Sequence, residues 1–235
     1  MKVDEAIVLA GGLGTRLRDE VGDVPKPLAP VAGRPFLAWL LDELARRGLR
    51  RVALATGYRG EQIEAALGRV WQGMLLEYSR ESAPLGTGGA IALAMQRIAG
   101  DACFVLNGDT WVELDYAAFD RQTADVPLGV ALAKVPDVAR YGAVLMEGGR
   151  VTGFSEKGTS GPGFINAGVY RIARSLADGF PEARAFSFER DVLVPTVARA
   201  RVAGFTATRG FVDIGVPEDY RRAQAMFESR PGGSP

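Results

Sequence analysis

A glycine-rich turn directly after the first apolar segment is the part of the chain best suited to chemistry. Residues 9–17 read Leu-Ala-Gly-Gly-Leu-Gly-Thr-Arg-Leu. The glycines allow a tight turn and let backbone N–H groups approach a ligand closely. Thr15 adds a hydroxyl donor, and Arg16 adds a charged fork. These groups suit a polyphosphate, and a glycine turn without a ligand is the alternative.

Two common phosphate-binding turns are excluded by the residues that follow. A P-loop needs Gly-Lys followed by Ser or Thr, whereas Gly14 is followed by Thr15 and Arg16. A dinucleotide fingerprint that begins at Gly12 needs Gly or Ala where this chain has Leu17. If the turn binds phosphate, it does so in another way.

Two aspartates are candidates for a reaction centre. Asn107-Gly108-Asp109 follows a predicted strand, and ligands of open parallel sheets gather at the carboxyl ends of the strands. An Asx turn explains the same three residues equally well. Asp213 lies between apolar strand residues, where a carboxylate is costly to bury without a partner.

The composition limits the kind of chemistry. The chain has no histidine and a single cysteine, Cys103, which excludes Ser-His and Cys-His sites, imidazole metal ligands and an internal disulfide. Carboxylates, Lys, Arg, hydroxyls and backbone groups remain, and a hard, oxygen-liganded cation such as Mg²⁺ fits that supply. The 28 basic and 28 acidic residues balance, so no overall field favours nucleic acid or an anionic membrane surface.

The length and the distribution of apolar residues predict one cytoplasmic domain. No apolar run approaches the ~18 residues of a membrane span, and acids occupy the N-terminal stretch where a signal peptide is apolar. We therefore expect a cytoplasmic protein without a membrane or nucleic-acid partner. No linker or repeat divides the chain, so we expect a single domain over residues 1–228 and a mobile tail over residues 229–235.

Strand and helix signals alternate through the first half of the chain. This βαβαβαβ order predicts an α/β fold with a parallel sheet and helices on both faces. The predicted strands cover residues 6–9, 51–55, 74–78 and 103–106, and the predicted helices cover residues 36–47, 61–67 and 87–98.

The second half is richer in strands, and some of them are expected to be antiparallel. Gly148-Gly149 marks a hairpin turn between two of them. The predicted strands cover residues 127–133, 143–146, 151–154, 164–171, 202–205 and 211–214, and the predicted helices cover residues 188–199 and 218–227.

The segment from Gly11 to Leu17, with Pro25-Lys26-Pro27 shortly after it, resembles the sugar-phosphate nucleotidyltransferases. The resemblance extends from the first strand to about Gln224. It implies a Rossmann-like fold, with a mixed, mostly parallel central sheet, helices on both faces and a strand-rich half that binds the sugar. It also implies a reaction in which an NTP and a sugar 1-phosphate give an NDP-sugar and pyrophosphate.

The resemblance further implies roles for individual residues. Asp109 and Asp213 match the two family aspartates that jointly hold a divalent cation, here Mg²⁺. Arg16 would hold the β- and γ-phosphates, and Lys26 would lie at the α-phosphate or the incoming phosphate. These four residues are the expected catalytic residues. The expected nucleotide-binding residues are Leu9, Ala10, Gly11, Gly12, Gly14, Thr15, Arg16, Glu81, Gly86 and Thr87.

The expected sugar-phosphate site lies in the second half. Gly142 matches the family's sugar loop, and Asn166 is a polar residue within an apolar strand, with an amide donor and acceptor for hydroxyls. Glu156 would accept hydrogen bonds from sugar hydroxyls, and Lys157 would bind the sugar phosphate. A simple turn at Gly142 and a surface ion pair at Glu156-Lys157 are the alternatives.

Glu81 precedes the loop Leu85-Gly-Thr-Gly-Gly89, which resembles the family's second nucleotide loop. An ionised carboxylate accepts hydrogen bonds and donates none, and guanine offers two adjacent donors on one edge. We therefore hypothesise that Glu81 favours guanine, with an exposed loop acid as the alternative.

Within the family, the chain looks most like the heptose 1-phosphate guanylyltransferases, which make GDP-heptose for bacterial surface glycans such as lipopolysaccharide or capsule. The compact length, Phe164–Tyr170 and Phe211–Gly215 carry this likeness. Mannose, glucose or N-acetylmuramate 1-phosphate with GTP, CTP or UTP is the close alternative. A catalytically silent nucleotide-sugar sensor is an alternative of another class. The expected partners are small-molecule substrates, and a homo-oligomer is left open.

Overall fold

Strands and helices are interspersed along the first half of the chain, and the second half contains a further set of strands between residues 128 and 213. The computed structural model describes residues 3–12, 17–22, 24–57, 59–155, 158–181 and 184–230. The strands are β1 (Glu5–Leu9), β2 (Pro30–Val31), β3 (Arg34–Pro35), β4 (Arg51–Thr56), β5 (Val70–Trp71), β6 (Met74–Arg80), β7 (Ala102–Asn107), β8 (Thr110–Leu114), β9 (Leu128–Val135), β10 (Val144–Glu147), β11 (Arg150–Phe154), β12 (Gly163–Ala173), β13 (Val202–Phe205) and β14 (Thr208–Asp213). The α-helices are α1 (Arg18–Val21), α2 (Phe36–Arg46), α3 (Gly60–Leu67), α4 (Gly86–Ala94), α5 (Tyr116–Thr123), α6 (Arg174–Ala177), α7 (Val194–Ala198) and α8 (Pro217–Glu228). Short 3₁₀ turns cover Lys26–Leu28 and Met95–Arg97, and a π-helix covers Glu189–Leu193.

The central sheet joins a parallel block to an antiparallel one. Its strand order over the described residues is β10-β11-β13-β9-β12-β7-β1-β4-β6-β5. Strands β6, β4, β1 and β7 are parallel neighbours, whereas β12 runs antiparallel to both β7 and β9. The mixed Rossmann-like sheet is therefore confirmed, and the strand-rich half is attached to the parallel block through β12.

Helices cover both faces of this sheet because the central strands are apolar on both sides. In β1, Ala6 and Val8 face one core and Ile7 faces the other, and all three are fully buried. The first core packs against α2, α5 and α8, and the second packs against α4, the π-helix and α7. Within the described residues, no helix is both long and apolar enough to span a bilayer.

The structure differs from the predicted elements in three places. The strand β8 and the helix α5 were not predicted; α5 begins where Asp115 accepts hydrogen bonds from the backbone N–H groups of Ala117 and Ala118. The predicted helix over residues 188–199 is divided into the π-helix and α7. Pro195 lies at this division and has no N–H to continue a regular helical ladder.

Cys103 lies in the middle of β7 and is fully buried. Its Sγ is 3.6 Å from the Sδ of Met95 on the covering helical segment. Burial, together with the negative charge of Glu5, raises the pKa of this thiol to about 12. The residue is thus a small core side chain, as its apolar sequence neighbours predict.

Candidate functional site

The glycine-rich turn leaves β1 at the carboxyl edge of the parallel block. The N–H of Ala10 donates to the carbonyl of Ala55 at 2.8 Å, and the N–H of Gly108 donates to the carbonyl of Leu9 at 2.9 Å. Ala10 is therefore tied into the sheet, whereas Leu9 and Gly12 line an adjacent cavity. Gly14, Thr15 and Arg16 lie outside the described residues.

Gly11 packs closely against two other segments of the chain. A Cβ atom at this position would lie 3.1 Å from the backbone nitrogen of Gly57 and 3.3 Å from Oε1 of Glu81. The turn thus passes directly beside the loop that follows β4 and beside the carboxylate of Glu81, which directly follows β6. These close approaches bring Gly11 and Glu81 to the same wall of the cavity.

Asp109 and Asp213 are brought together by the short ladder between β8 and β14. Asp213 is the register partner of Thr110 in this antiparallel pair, and the N–H of Ile214 donates to the carbonyl of Asp109 at 2.9 Å. The Nζ of Lys26 donates to Oδ2 of Asp109. Two residues that are far apart in sequence are therefore neighbours, and Asp109 lines the cavity together with the lysine that it contacts.

The electrostatics of this acidic pair favour a positive ion. Burial, and then the negative charge of Asp109, raise the pKa of Asp213, while the charge of Lys26 opposes that shift. Oδ1 of Asp213 accepts a hydrogen bond from the N–H of Gly215 at 2.7 Å. No group of three or more potential metal-ligating side chains exists among the described residues. The donor set is two carboxylates, which suits a cation that takes its remaining ligands from phosphate and water.

A cavity of about 410 Å³ contains most of the expected nucleotide-binding groups. Its lining includes the following described residues: Leu9, Gly11, Gly12, Lys26, Glu81, Gly86, Thr87, Asn107 and Asp109. Asp109 and Lys26 lie at one edge of this cavity, and the start of α4 forms the other. The volume lies within the range of small-molecule sites.

The two polar side chains at the α4 end of this cavity already have protein partners. Oε2 of Glu81 accepts from the N–H of Leu85 at 2.8 Å. The hydroxyl of Thr87 donates to Oε2 of Glu189 at 2.8 Å and accepts from the N–H of Phe188 at 2.9 Å. Oε1 of Glu81 lies toward Gly11, and the Thr87 hydroxyl is part of a link to the π-helix.

The glycines of the second loop are required by packing against residues 184–188. A Cβ atom at Gly86 would lie 2.6 Å from the carbonyl oxygen of Phe186, and one at Gly88 would lie 2.2 Å from the Phe186 ring. The N–H of Gly88 also donates to that carbonyl at 3.0 Å. The glycines of the Gly-Thr-Gly-Gly pattern therefore allow a close contact within the protein, and Gly86 also lines the cavity.

A second cavity, of about 190 Å³, lies in the antiparallel half and contains Gly142 and Asn166. Gly142 has a φ of +83°, a conformation that glycine adopts without strain. The Nδ2 of Asn166 donates to the hydroxyl of Tyr170 at 2.8 Å, and its Oδ1 accepts from the N–H of Gly168 at 3.0 Å. Glu156 and Lys157 lie outside the described residues.

Three residues that the sequence analysis missed take part in this arrangement. Glu189 lines both cavities. Asn107 lines the larger one, and Gly215 packs against Asp213 and Lys26. Glu189 was hidden within a predicted helix, and Gly215 directly follows a predicted strand and was noted only as the last residue of the motif Phe211–Gly215. Asn107 was noted only as part of a turn motif.

Comparison with known proteins gives one consistent result. The model of a family described as nucleotidyl transferase matches residues 5–230. The D-glycero-alpha-D-manno-heptose 1-phosphate guanylyltransferase of Aneurinibacillus thermoaerophilus is 40% identical over 226 residues, which are 95% of this chain and 98% of that relative. The protein of the same name from Campylobacter jejuni is 37% identical over 217 residues, covering 92% of this chain and 96% of the relative. The crystal structure of HddC from Yersinia pseudotuberculosis complexed with GMP-PN matches with a TM-score of 0.86 and 36% identity, over 96% of this chain and 100% of that one.

Proposed function

The chain belongs to the nucleotidyl transferase family, and we propose that it transfers the guanylyl group of GTP to a heptose 1-phosphate. The products are GDP-heptose and pyrophosphate. The full-length likeness to heptose 1-phosphate guanylyltransferases supports both the nucleotide and the sugar. The observation that carries the proposal is the joining of Lys26, Asp109 and Asp213 at the edge of a cavity that also contains the glycine turn and Glu81.

The chemistry needs little from the protein beyond positioning and charge. A sugar 1-phosphate is already an anionic nucleophile at neutral pH, so no side chain has to remove a proton from it. The phosphate oxygen attacks the α-phosphorus of GTP, and the bond to the β-phosphate oxygen breaks with release of pyrophosphate. Fixed positive charge at the phosphates is the main requirement of such a transfer.

The residues of the chain can supply this arrangement. The ammonium of Lys26 lies at the cavity and pairs with Asp109, where it would contact the α-phosphate of GTP or the incoming phosphate of the sugar. Asp109 and Asp213 would hold Mg²⁺, because two adjacent carboxylates with a raised pKa at Asp213 gain from a shared cation. When bound, Mg²⁺ supplies Lewis-acid charge at the phosphate oxygens. Arg16 and Lys157 are proposed to contact the triphosphate and the sugar phosphate.

A pyrophosphate-release assay over a panel of NTPs and sugar 1-phosphates tests this function. We expect the highest kcat/KM with GTP and D-glycero-D-manno-heptose 1-phosphate, and loss of turnover when EDTA removes divalent ions. Asp109→Ala should lower kcat by about 10²-fold or more, since metal charge stabilisation is worth several kcal/mol. Asp101→Asn, at the exposed opposite end of β7, is the matched control. Near-normal turnover of Asp109→Ala with Mg²⁺ present would exclude the proposed centre, and wild-type binding without pyrophosphate release would favour a sensor.

Base selection can be tested at Glu81. Its Oε1 faces Gly11 while Oε2 accepts from the N–H of Leu85, which fixes the carboxylate at the cavity wall, and we propose that it accepts there from the two donors of guanine. Glu81→Gln replaces one acceptor by a donor, and we expect the preference for GTP over UTP to fall about 10-fold, as for the loss of one charged hydrogen bond. Glu77→Gln is the control, because Glu77 lies in β6, directly before the segment that carries Glu81, and is paired with Arg51. An unchanged GTP to UTP ratio in Glu81→Gln would remove Glu81 from base selection.

A further inference from the structure

Glu189 lines both of the cavities described above. It is the first residue of the π-helix Glu189–Leu193. It lines the cavity of about 410 Å³ and also the cavity of about 190 Å³. Among the described residues, no other side chain lines both. π-Helical turns of this kind are frequent at functional sites.

The carboxylate of Glu189 is fixed through one of its oxygens. Oε2 accepts from the hydroxyl of Thr87 at 2.8 Å and from the hydroxyl of Ser187 at 3.2 Å. The N–H of Phe188 donates in turn to the Thr87 hydroxyl. Oε1 accepts no hydrogen bond from the described residues. The side chain is therefore held in one orientation, with acceptor capacity left over.

The surroundings of Glu189 in the smaller cavity are those of a hydroxyl-binding site. Among the described lining residues, Glu189 is the only carboxylate there, and Asn166 is the only amide. Burial, and then the negative charge of Glu189, raise the pKa of Tyr170, whose hydroxyl accepts from Asn166. Glu189 thus lies near the Asn166–Tyr170 pair, in which the side-chain amide of Asn166 already bonds to the Tyr170 hydroxyl and to the N–H of Gly168.

We propose that Glu189 is a sugar-selecting residue that accepts a hydrogen bond through Oε1 from a ring hydroxyl of the sugar 1-phosphate. An ionised carboxylate is a pure acceptor, and a sugar ring presents several donors. This inference rests on the proposed function, since it assigns the smaller cavity to the sugar ring. Because Oε2 is bonded to Thr87 at the nucleotide cavity, the same side chain also joins the walls of the two substrate sites.

The test is steady-state kinetics of Glu189→Gln and Glu189→Ala with GTP and heptose 1-phosphate. We expect KM for the sugar phosphate to rise about 10- to 100-fold, as for loss of a hydrogen bond to a charged group, while KM for GTP changes less than about 2-fold. Asp191→Asn is the matched control, because Asp191 caps the same turn by accepting from the N–H of Ser187 and lines neither cavity. Glu189→Gln keeps the shape of the side chain, which leaves the test valid if Glu189→Ala folds poorly.

Monodeoxy analogues of the sugar phosphate identify the partner. For one analogue, the kcat/KM of wild type should fall below that for the parent sugar phosphate by about the factor by which Glu189→Ala lowers kcat/KM for the parent. Glu189→Ala should then use this analogue and the parent about equally well. A rise in KM for GTP alone, with sensitivity to 3′-deoxy-GTP, would move the contact to the ribose and overturn the inference. Unchanged KM values for both substrates would also overturn it. If wild type releases no pyrophosphate, the proposed function fails, and calorimetric binding of heptose 1-phosphate to wild type and Glu189→Gln still decides the role of Glu189.

Discussion

The proposed reaction centre depends on a residue that has no side chain. Gly215 is buried next to Asp213, and a Cβ atom there would lie 2.8 Å from Oδ1 of Asp213 and 3.0 Å from Nζ of Lys26. Its N–H also donates to the same carboxylate oxygen. The missing methyl group is what allows the carboxylate and the ammonium to lie so close to the backbone.

Gly215→Ala is therefore expected to damage activity more than stability. The added methyl group should displace the Lys26 ammonium or rotate the Asp213 carboxylate, and a displacement near 1 Å at a reaction centre costs on the order of 10²-fold in kcat. Urea unfolding should report a loss of about 1–3 kcal/mol at most. Gly153→Ala is the control, because its Cβ would meet only Leu145 at an ordinary 3.7 Å. Equal kcat values for Gly215→Ala and wild type would contradict this role.

The sequence allowed candidate site residues to be predicted where chemistry restricts the residue type, but it did not show which side chains contact each other. Asp109 could be found because it follows a strand of a parallel sheet, and Asp213 because a carboxylate between apolar residues needs a reason. The bond of Lys26 to Asp109 joins residues 83 positions apart and has no local signal in the sequence. The ladder of β8 with β14 brings Asp213 beside Asp109, and β8 was not among the predicted strands. Glu189 carries no signal in the sequence, since Phe188-Glu189-Arg190-Asp191 also fits an ordinary exposed helix start.

At the scale of elements, the start of α4 and the segment of residues 184–188 form one packed unit. The N–H of Gly88 donates to the carbonyl of Phe186, and the N–H of Phe186 donates to the carbonyl of Leu85. The Phe186 ring, 6% exposed, lies over Gly88. The sequence predicted helices that begin at residues 87 and 188, but the contact joins residues about 100 positions apart and has no local signature.

A double-mutant cycle between these two positions should show strong coupling. Gly88→Ala alone places a Cβ atom 2.2 Å from the ring, and we expect a loss of about 1–3 kcal/mol from overpacking. Phe186→Ala alone should cost about 3–5 kcal/mol through the cavity that it leaves. The double variant should be less destabilised than the sum, because the added methyl group partly fills that cavity. Additive free energies of unfolding in urea would show that the two positions do not contact each other.

Element boundaries were predictable where the hydrophobic period is regular. The strands β1, β4 and β7 and the helix α2 agree with their predicted ranges to within one or two residues. The division of the predicted helix over residues 188–199 was not predicted, because a π-helix differs from an α-helix in hydrogen bonding and hardly in its apolar spacing. Pro195 was the one available signal.

At the scale of the whole molecule, Cys103 provides a probe of opening. It is the single cysteine of the chain, it is fully buried in β7, and its pKa is raised to about 12. At pH 8 the native thiol is therefore protonated and out of reach, so modification requires exposure of the central sheet. We expect labelling by a disulfide reagent to be slow in native buffer, to rise steeply through the urea unfolding transition and to be complete in the unfolded chain. Full labelling within minutes in native buffer would contradict the buried position of β7.

The boundary between β7 and β12 has a consequence for evolution and engineering. On the β7 side, the strands run parallel and carry the groups expected to bind GTP, which is the donor. On the β12 side, the sheet begins with an antiparallel strand, and this half contains the smaller cavity. Changes of acceptor preference can accumulate on the returning strands while the donor half keeps its geometry. Libraries that aim at new nucleotide-activated sugars should accordingly first vary residues of the antiparallel half of the sheet. Glu189 should be varied with care, because its side chain lines both cavities.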